Sequence, residues 1–150
     1  MAAYFFDSSA LVKRYAQETG TAWVQTVAAR NYVFLARITH VEVIAAIERR
    51  KRTGTLTTTD AAAATASFRA HFSTEYATVD ISRLLVGQAA DLAEMHGLRA
   101  YDDVQLAAAL QVQNERQAFG MPALILVSAD LALNAAAMAE GLTVEDPNTH

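Results

Sequence analysis

Read for its hydrophobic and polar positions, the chain alternates two rhythms. Short apolar or aromatic runs, AYFF (3–6), YVFLA (32–36), YATVDI (76–81), ALILVS (123–128) and LTVE (142–145), have the length and side-chain character of strands. Longer alanine-rich stretches with helical spacing lie between them. Strands this uniformly apolar are buried on both faces, so the pattern predicts an α/β fold with a mostly parallel central sheet flanked by helices. Helix ends are marked as well. Ser8 or Ser9 can cap the first helix, Thr39 opens one that Gly54 closes, Ser82 opens one that Gly97 closes, and Gly141 follows the last.

In open sheets of this kind ligands bind just beyond the carboxyl ends of the strands, and Asp7 stands at such an end. A carboxylate placed directly after a buried apolar run needs a partner: a hydrogen bond, a counter-charge or a metal. Of the sixteen acidic residues, most, including Glu18, Glu48, Glu75 and Glu140, are read as solvated charges on polar helix faces or in turns. Four places differ, because there the acid abuts apolar or small residues where the chain enters a helix: Asp7, Glu42, the pair Asp102 and Asp103, and Asp130. Each also has a purely structural reading. Asp7 and Asp130 can cap helices; THVE (39–42) matches a capping box, with the Thr39 hydroxyl and the Glu42 carboxylate each serving the other's backbone donor; and Asp102 or Asp103 suits a helix first turn.

Taken together, the four junctions converge on one sheet edge if the strands are parallel neighbours. Carboxylates crowded there repel unless a cation sits among them, and an all-oxygen set without His or Cys suits Mg²⁺ or Mn²⁺ held by few protein ligands and several waters. Such an ion suits in-line hydrolysis of a phosphodiester. Ser9 and Ser128 are candidate donors that orient the ligating carboxylates, or else helix caps.

At 150 residues the chain is expected to form a single domain over 1–150. Its 53% hydrophobic content leaves room for a further buried surface such as a dimer or partner interface. The absence of cysteine excludes disulfides, thiolate metal sites and a Cys nucleophile, and fits a reducing cytoplasm. No basic segment precedes the apolar start, so no signal peptide is expected, and the longest apolar run, MPALILV, is too short to span a membrane. A net charge of −4 argues against a surface that coats nucleic acid, while leaving open an enzyme that grips a short piece of it.

Four blocks, YFFDSSALVKRYAQETGT, ITHVEVIAAIERR, HGLRAYDDVQLAAAL and ALILVSADLALNAAAMAEGL, resemble in order the signature segments of PIN-domain ribonucleases, and most of all the VapC toxins of toxin–antitoxin pairs. The resemblance covers nearly the whole chain. It implies a PIN-like, Rossmann-like three-layer sandwich, and an acidic pocket of Asp7, Glu42, Asp102 and Asp130 supported by Ser9. It also implies Mg²⁺- or Mn²⁺-dependent cleavage of an RNA substrate in the cytoplasm, homodimerisation and inhibition by a VapB-like antitoxin. Asp103 departs from the pattern, which usually carries a small apolar residue there. Because adjacent helical residues point about 100° apart, Asp102 is assigned to the ion and Asp103 to a supporting or surface charge.

The basic run ERRKR (48–52) reads mainly as a helix C-terminus on a solvated face, so Lys13 and Arg14 are the preferred phosphate contacts. Trp23 and the strand aromatics read as core or interface. Zinc-deaminase, P-loop, dinucleotide-binding, zincin and nucleophile-elbow motifs are absent. A haloacid-dehalogenase-like phosphatase would carry D-x-D where this chain has DSS, and a receiver domain would need a late lysine, whereas the only lysines are Lys13 and Lys51. Two alternatives stay open: a PIN module that binds RNA or protein without cutting, and a PIN nuclease of RNA maturation outside any toxin pair.

Overall fold

A computed structural model describes residues 1–150. Five strands, β1 (Ala3–Phe6), β2 (Tyr32–Ala36), β3 (Tyr76–Val79), β4 (Ile125–Val127) and β5 (Thr143–Glu145), form one sheet in the order β3-β2-β1-β4-β5. Every neighbouring pair is parallel, so the expected mostly parallel sheet is wholly so. The expected strands are all present, the later ones trimmed at their ends.

Alternation along each strand divides the core in two. Ala3 and Phe5 of β1, Phe34 and Ala36 of β2 and Leu126 of β4 face helices α5 (Arg83–His96), α6 (Ala100–Ala118) and α7 (Leu131–Ala139). Phe6, Val33, Leu35 and Val127 face the opposite layer, built from α1 (Ser8–Leu11), α2 (Thr21–Arg30), α3 (Thr39–Arg52) and α4 (Thr58–Thr74). The result is a three-layer sandwich, and burial on both faces is why the strand sequences lack polar alternation.

The chain first winds outward from β1 through β2 to β3. It then crosses back over α5 and α6 to place β4 on the other side of β1. The reversal of winding leaves a crevice beyond the carboxyl ends of β1 and β4, since the connections there depart in opposite directions. Asp7 follows β1 directly, and its N–H donates to Val127 O of β4 at 3.1 Å.

At two helix starts the structure chooses among the sequence readings or overrules them. The first helix is capped by Asp7, whose carboxylate accepts from Ala10 N, because β1 runs to Phe6 and Asp7 is the last residue with extended backbone before the helix. The capping box at α3 does not form: Ile38 is already helical, and the N–H groups of His40, Val41 and Glu42 are taken by the carbonyls of Arg37 and Ile38. With those backbone donors satisfied, the Thr39 and Glu42 side chains are free for other partners.

Candidate active site

A cavity of about 750 Å³ opens at the crevice and is lined by Asp7, Glu42, Asp102 and Asp130 together. Each comes from a different junction: the β1–α1 boundary, the first turn of α3, the first turn of α6, and the residue that caps α7. The two capping readings hold as well, since Asp7 and Asp130 use one carboxylate oxygen each, Asp130 accepting from Leu133 N at 2.9 Å. No three His, Cys, Asp or Glu side chains stand close enough to grip one ion together, so the four carboxylates surround shared space without closing on a point.

Of the four cavity acids Asp7 is the innermost, with only 2% of its surface exposed. Ser9 Oγ donates to its Oδ1 at 2.7 Å and Ser128 Oγ to its Oδ2 at 3.2 Å. The same hydroxyls accept from Ala129 N and Asp130 N, each at 3.1 Å, so both serines tie Asp7 to the loop that leads into α7. Asn134 anchors that loop from α7 by donating to Ser128 O at 2.9 Å. Burial nonetheless dominates and pushes the Asp7 carboxyl up to about 7, with the hydrogen bonds from Ser9, Ala10 and Ser128 working against it.

Glu42 is held by Gln105, whose amide nitrogen reaches Glu42 Oε1 at 2.7 Å and Thr39 Oγ1 at 2.9 Å. Burial raises the Glu42 carboxyl above its usual range, hydrogen bonds from Gln105 and Ser8 oppose it, and the Asp102 charge adds to the rise. Asp102 is raised as well, first by burial and against the hydrogen bond from Arg99, with Asp130 pushing further up. Beside burial, each of these three carboxyls is pushed up by a neighbouring acid, a repulsion that a bound cation would relieve.

Asp103 is neither a surface charge nor a support for the pocket. It is 1% exposed, it lies outside the cavity lining, and both carboxylate oxygens lack a hydrogen-bond partner. The turn of α6 that aims Asp102 at the cavity sends Asp103 into the protein, where burial raises its carboxyl, Asp102 adds to the rise and the His96 charge opposes it.

The basic residues are also redistributed. Lys13 is buried and held by Glu18 at 3.2 Å, and Arg50 clamps the other Glu18 oxygen at 3.0 Å, so Glu18 is a fixed part of the cavity wall rather than a solvated charge. Arg14 lies outside the cavity, donating to Glu75 at 3.0 Å and to Tyr76 Oη at 2.6 Å. Arg49 lines the cavity, is exposed and has no ion pair, which makes it a better phosphate contact than Lys13 or Arg14. Arg99, which the motif reading passed over, reaches two of the pocket acids. For Gln105 the available signal was its position three residues after Asp102 on one face of α6; Arg99, at the extended residue before the helix, gave no such periodic signal. Trp23 packs against the α1–α4 layer and stacks on His150 at 4.2 Å.

No protein-family model matches this sequence, and no curated protein matches it. Solved structures do match. PAE2754 from Pyrobaculum aerophilum is 21% identical with a TM-score of 0.64, over 99% of this chain and 91% of that one. VapC20 from Mycobacterium tuberculosis, a toxin that cleaves the sarcin–ricin loop, is 17% identical with a TM-score of 0.63, over 89% of this chain and 95% of that one. A toxin–antitoxin complex from Klebsiella pneumoniae is 16% identical with a TM-score of 0.61, over 97% of this chain and 98% of that one. At these identities the likeness establishes a shared fold along the full chain.

Proposed function

We propose that this chain is a VapC-like endoribonuclease that hydrolyses RNA phosphodiester bonds with Mg²⁺ or Mn²⁺ and is restrained by a VapB-like antitoxin. The observation that carries the reading is the convergence of Asp7, Glu42, Asp102 and Asp130 on one cavity at the crevice between β1 and β4. The fold shared with VapC20 and with a toxin–antitoxin complex supports the same reading. The proposed site of action is the cytoplasm; no helix is long and apolar enough to cross a membrane. A homodimer is part of the proposal, as the resemblance to VapC toxins implies.

In its chemistry the donor set suits a hard divalent ion, since all the candidate ligands are carboxylates lining one cavity; no three of them stand close enough to grip one ion together, so water would have to complete its coordination. Asp7, Glu42, Asp102 and Asp130 would hold it directly or through water. Bound there, a divalent cation supplies Lewis acidity, which eases deprotonation of a water and stabilises charge on the leaving oxygen. The protein's own share is positioning. Ser9 and Ser128 hold both Asp7 oxygens, Gln105 fixes Glu42, and Arg49 offers an unpaired positive charge to the RNA backbone.

The direct test is incubation of purified protein with total cellular RNA in Mn²⁺, in Mg²⁺ and in EDTA, beside Asp7→Asn. Metal-dependent cuts that disappear in the variant are expected, and their mapped positions identify the target. Equal inertness of two folded, antitoxin-free proteins would instead favour a module that binds without cutting. Co-purification with a small DNA-binding partner encoded next to the gene separates the toxin reading from a nuclease of RNA maturation.

A further inference from the structure

Four basic side chains line the cavity, and they differ in what they do. Lys13 and Arg50 are committed to Glu18, and Arg49 is free. Arg99 alone is engaged with candidate metal ligands: its Nε donates to Asp102 Oδ2 at 3.1 Å and its Nη2 to Asp130 Oδ2 at 2.9 Å. One planar guanidinium thus spans two of the candidate ligands, Asp102 in the first turn of α6 and Asp130 at the cap of α7.

The contact is built to be broken. Arg99 precedes α6 with extended backbone, and its side chain is 80% exposed, while Asp102 and Asp130 are 17% and 22% exposed. The carboxylates are fixed by their helices and the cation is on a solvent-facing tether. Exposed ion pairs contribute little to stability, so a divalent ion competing for the same oxygens meets a weak opponent.

We propose that Arg99 is an exchangeable counter-ion: it bridges Asp102 and Asp130 until a divalent cation enters, and then turns to the RNA phosphate at the cavity mouth. The inference rests on the nuclease reading above. It adds that one residue sets both metal affinity and substrate affinity, in opposite senses. Before loading, the guanidinium offsets repulsion between the two acids. After loading, it remains beside the cavity with its donors released, and its fork matches two phosphate oxygens.

The test is calorimetric titration of Mn²⁺ into RNA-free wild type, Arg99→Gln and Arg99→Lys, followed by steady-state cleavage at saturating Mn²⁺ on the RNA mapped above. Loss of the competing cation is expected to tighten Mn²⁺ binding by about 3–10-fold in Arg99→Gln, with Arg99→Lys in between. In cleavage, Arg99→Gln is expected to raise KM and to lower the slope of log KM against log salt by about 0.7, the value of one lost phosphate contact to single-stranded RNA. Equal or weaker Mn²⁺ binding by Arg99→Gln overturns the counter-ion role, and an unchanged KM and salt slope overturn the phosphate role. If wild type itself takes up no Mn²⁺, the metal-dependent reading of the site fails, an outcome distinct from either.

Discussion

Gln105 and Glu42, sixty-three residues apart, are joined by a 2.7 Å hydrogen bond from the amide nitrogen to the carboxylate Oε1. The same nitrogen reaches Thr39 Oγ1, so a single buried amide on α6 sets the orientation of a pocket acid on α3. Gln105→Leu removes the donor and leaves the Thr39 hydroxyl, fully buried, short of a partner. Losing a group that orients a ligand typically costs 10–100-fold in metal affinity or activity, and a loss of about that size in kcat and in Mn²⁺ affinity is expected. Calorimetry and cleavage of the mapped RNA check it; unchanged Mn²⁺ affinity in a folded variant would show that Glu42 does not need the amide.

The raised carboxyl of Asp7 makes stability depend on pH. Between the unfolded value of 3.8 and about 7, the folded protein binds a proton that the unfolded chain has released, so stability falls as pH rises through that window. Asp7→Asn keeps an N-cap oxygen and removes the charge. In EDTA the variant is expected to be more stable than wild type by roughly 2–4 kcal/mol at pH 8, with the difference shrinking toward pH 4. Added Mn²⁺ should stabilise only wild type. Urea unfolding at several pH values measures this, and parallel pH profiles would refute it.

Asp103 has a buried carboxylate with no partner for either oxygen. Replacing it by an apolar residue of similar size removes an uncompensated desolvation cost, so Asp103→Leu is expected to gain about 1–3 kcal/mol. Because Asp103 lies outside the cavity, cleavage per folded molecule should be retained. A stability loss in chemical denaturation would mean that the carboxylate has a role in the folded protein.

Gly20 has φ +87°, and a Cβ there would sit 2.2 Å from Pro147 O. Gly20→Ala therefore combines a left-handed backbone with a backbone clash, and pushes the 147–149 turn off the start of α2. A loss of at least about 2 kcal/mol is expected, with altered Trp23 fluorescence as the His150 stack opens. Retention of wild-type stability and emission would show that the turn moves aside freely.

Much of this protein was legible along the chain. Each strand core, the caps at Ser82 and Gly97, and the grouping of four acids at helix starts follow from local rules, because apolar runs, capping side chains and glycine conformations act within a few residues. What needed the tertiary structure was every decision between equally good local partners. Thr39 and Glu42 satisfied a capping box on paper, yet the backbone turn at Arg37 and Ile38 took those donors and Gln105 took the side chains. Lys13 and Arg14 lay near Asp7 in sequence, but Glu18 bound the first, and Tyr76 and Glu75 drew the second away. Asp102 and Asp103 were adjacent and chemically identical, and the seating of α6 sent one to the cavity and buried the other. Arg99 meets Asp130 only because the crossover from β3 to β4 brings the starts of α6 and α7 together. Sequence determines which groups are present and how the nearby backbone folds. Long-range packing decides which charge faces which, since that depends on distances no local pattern encodes.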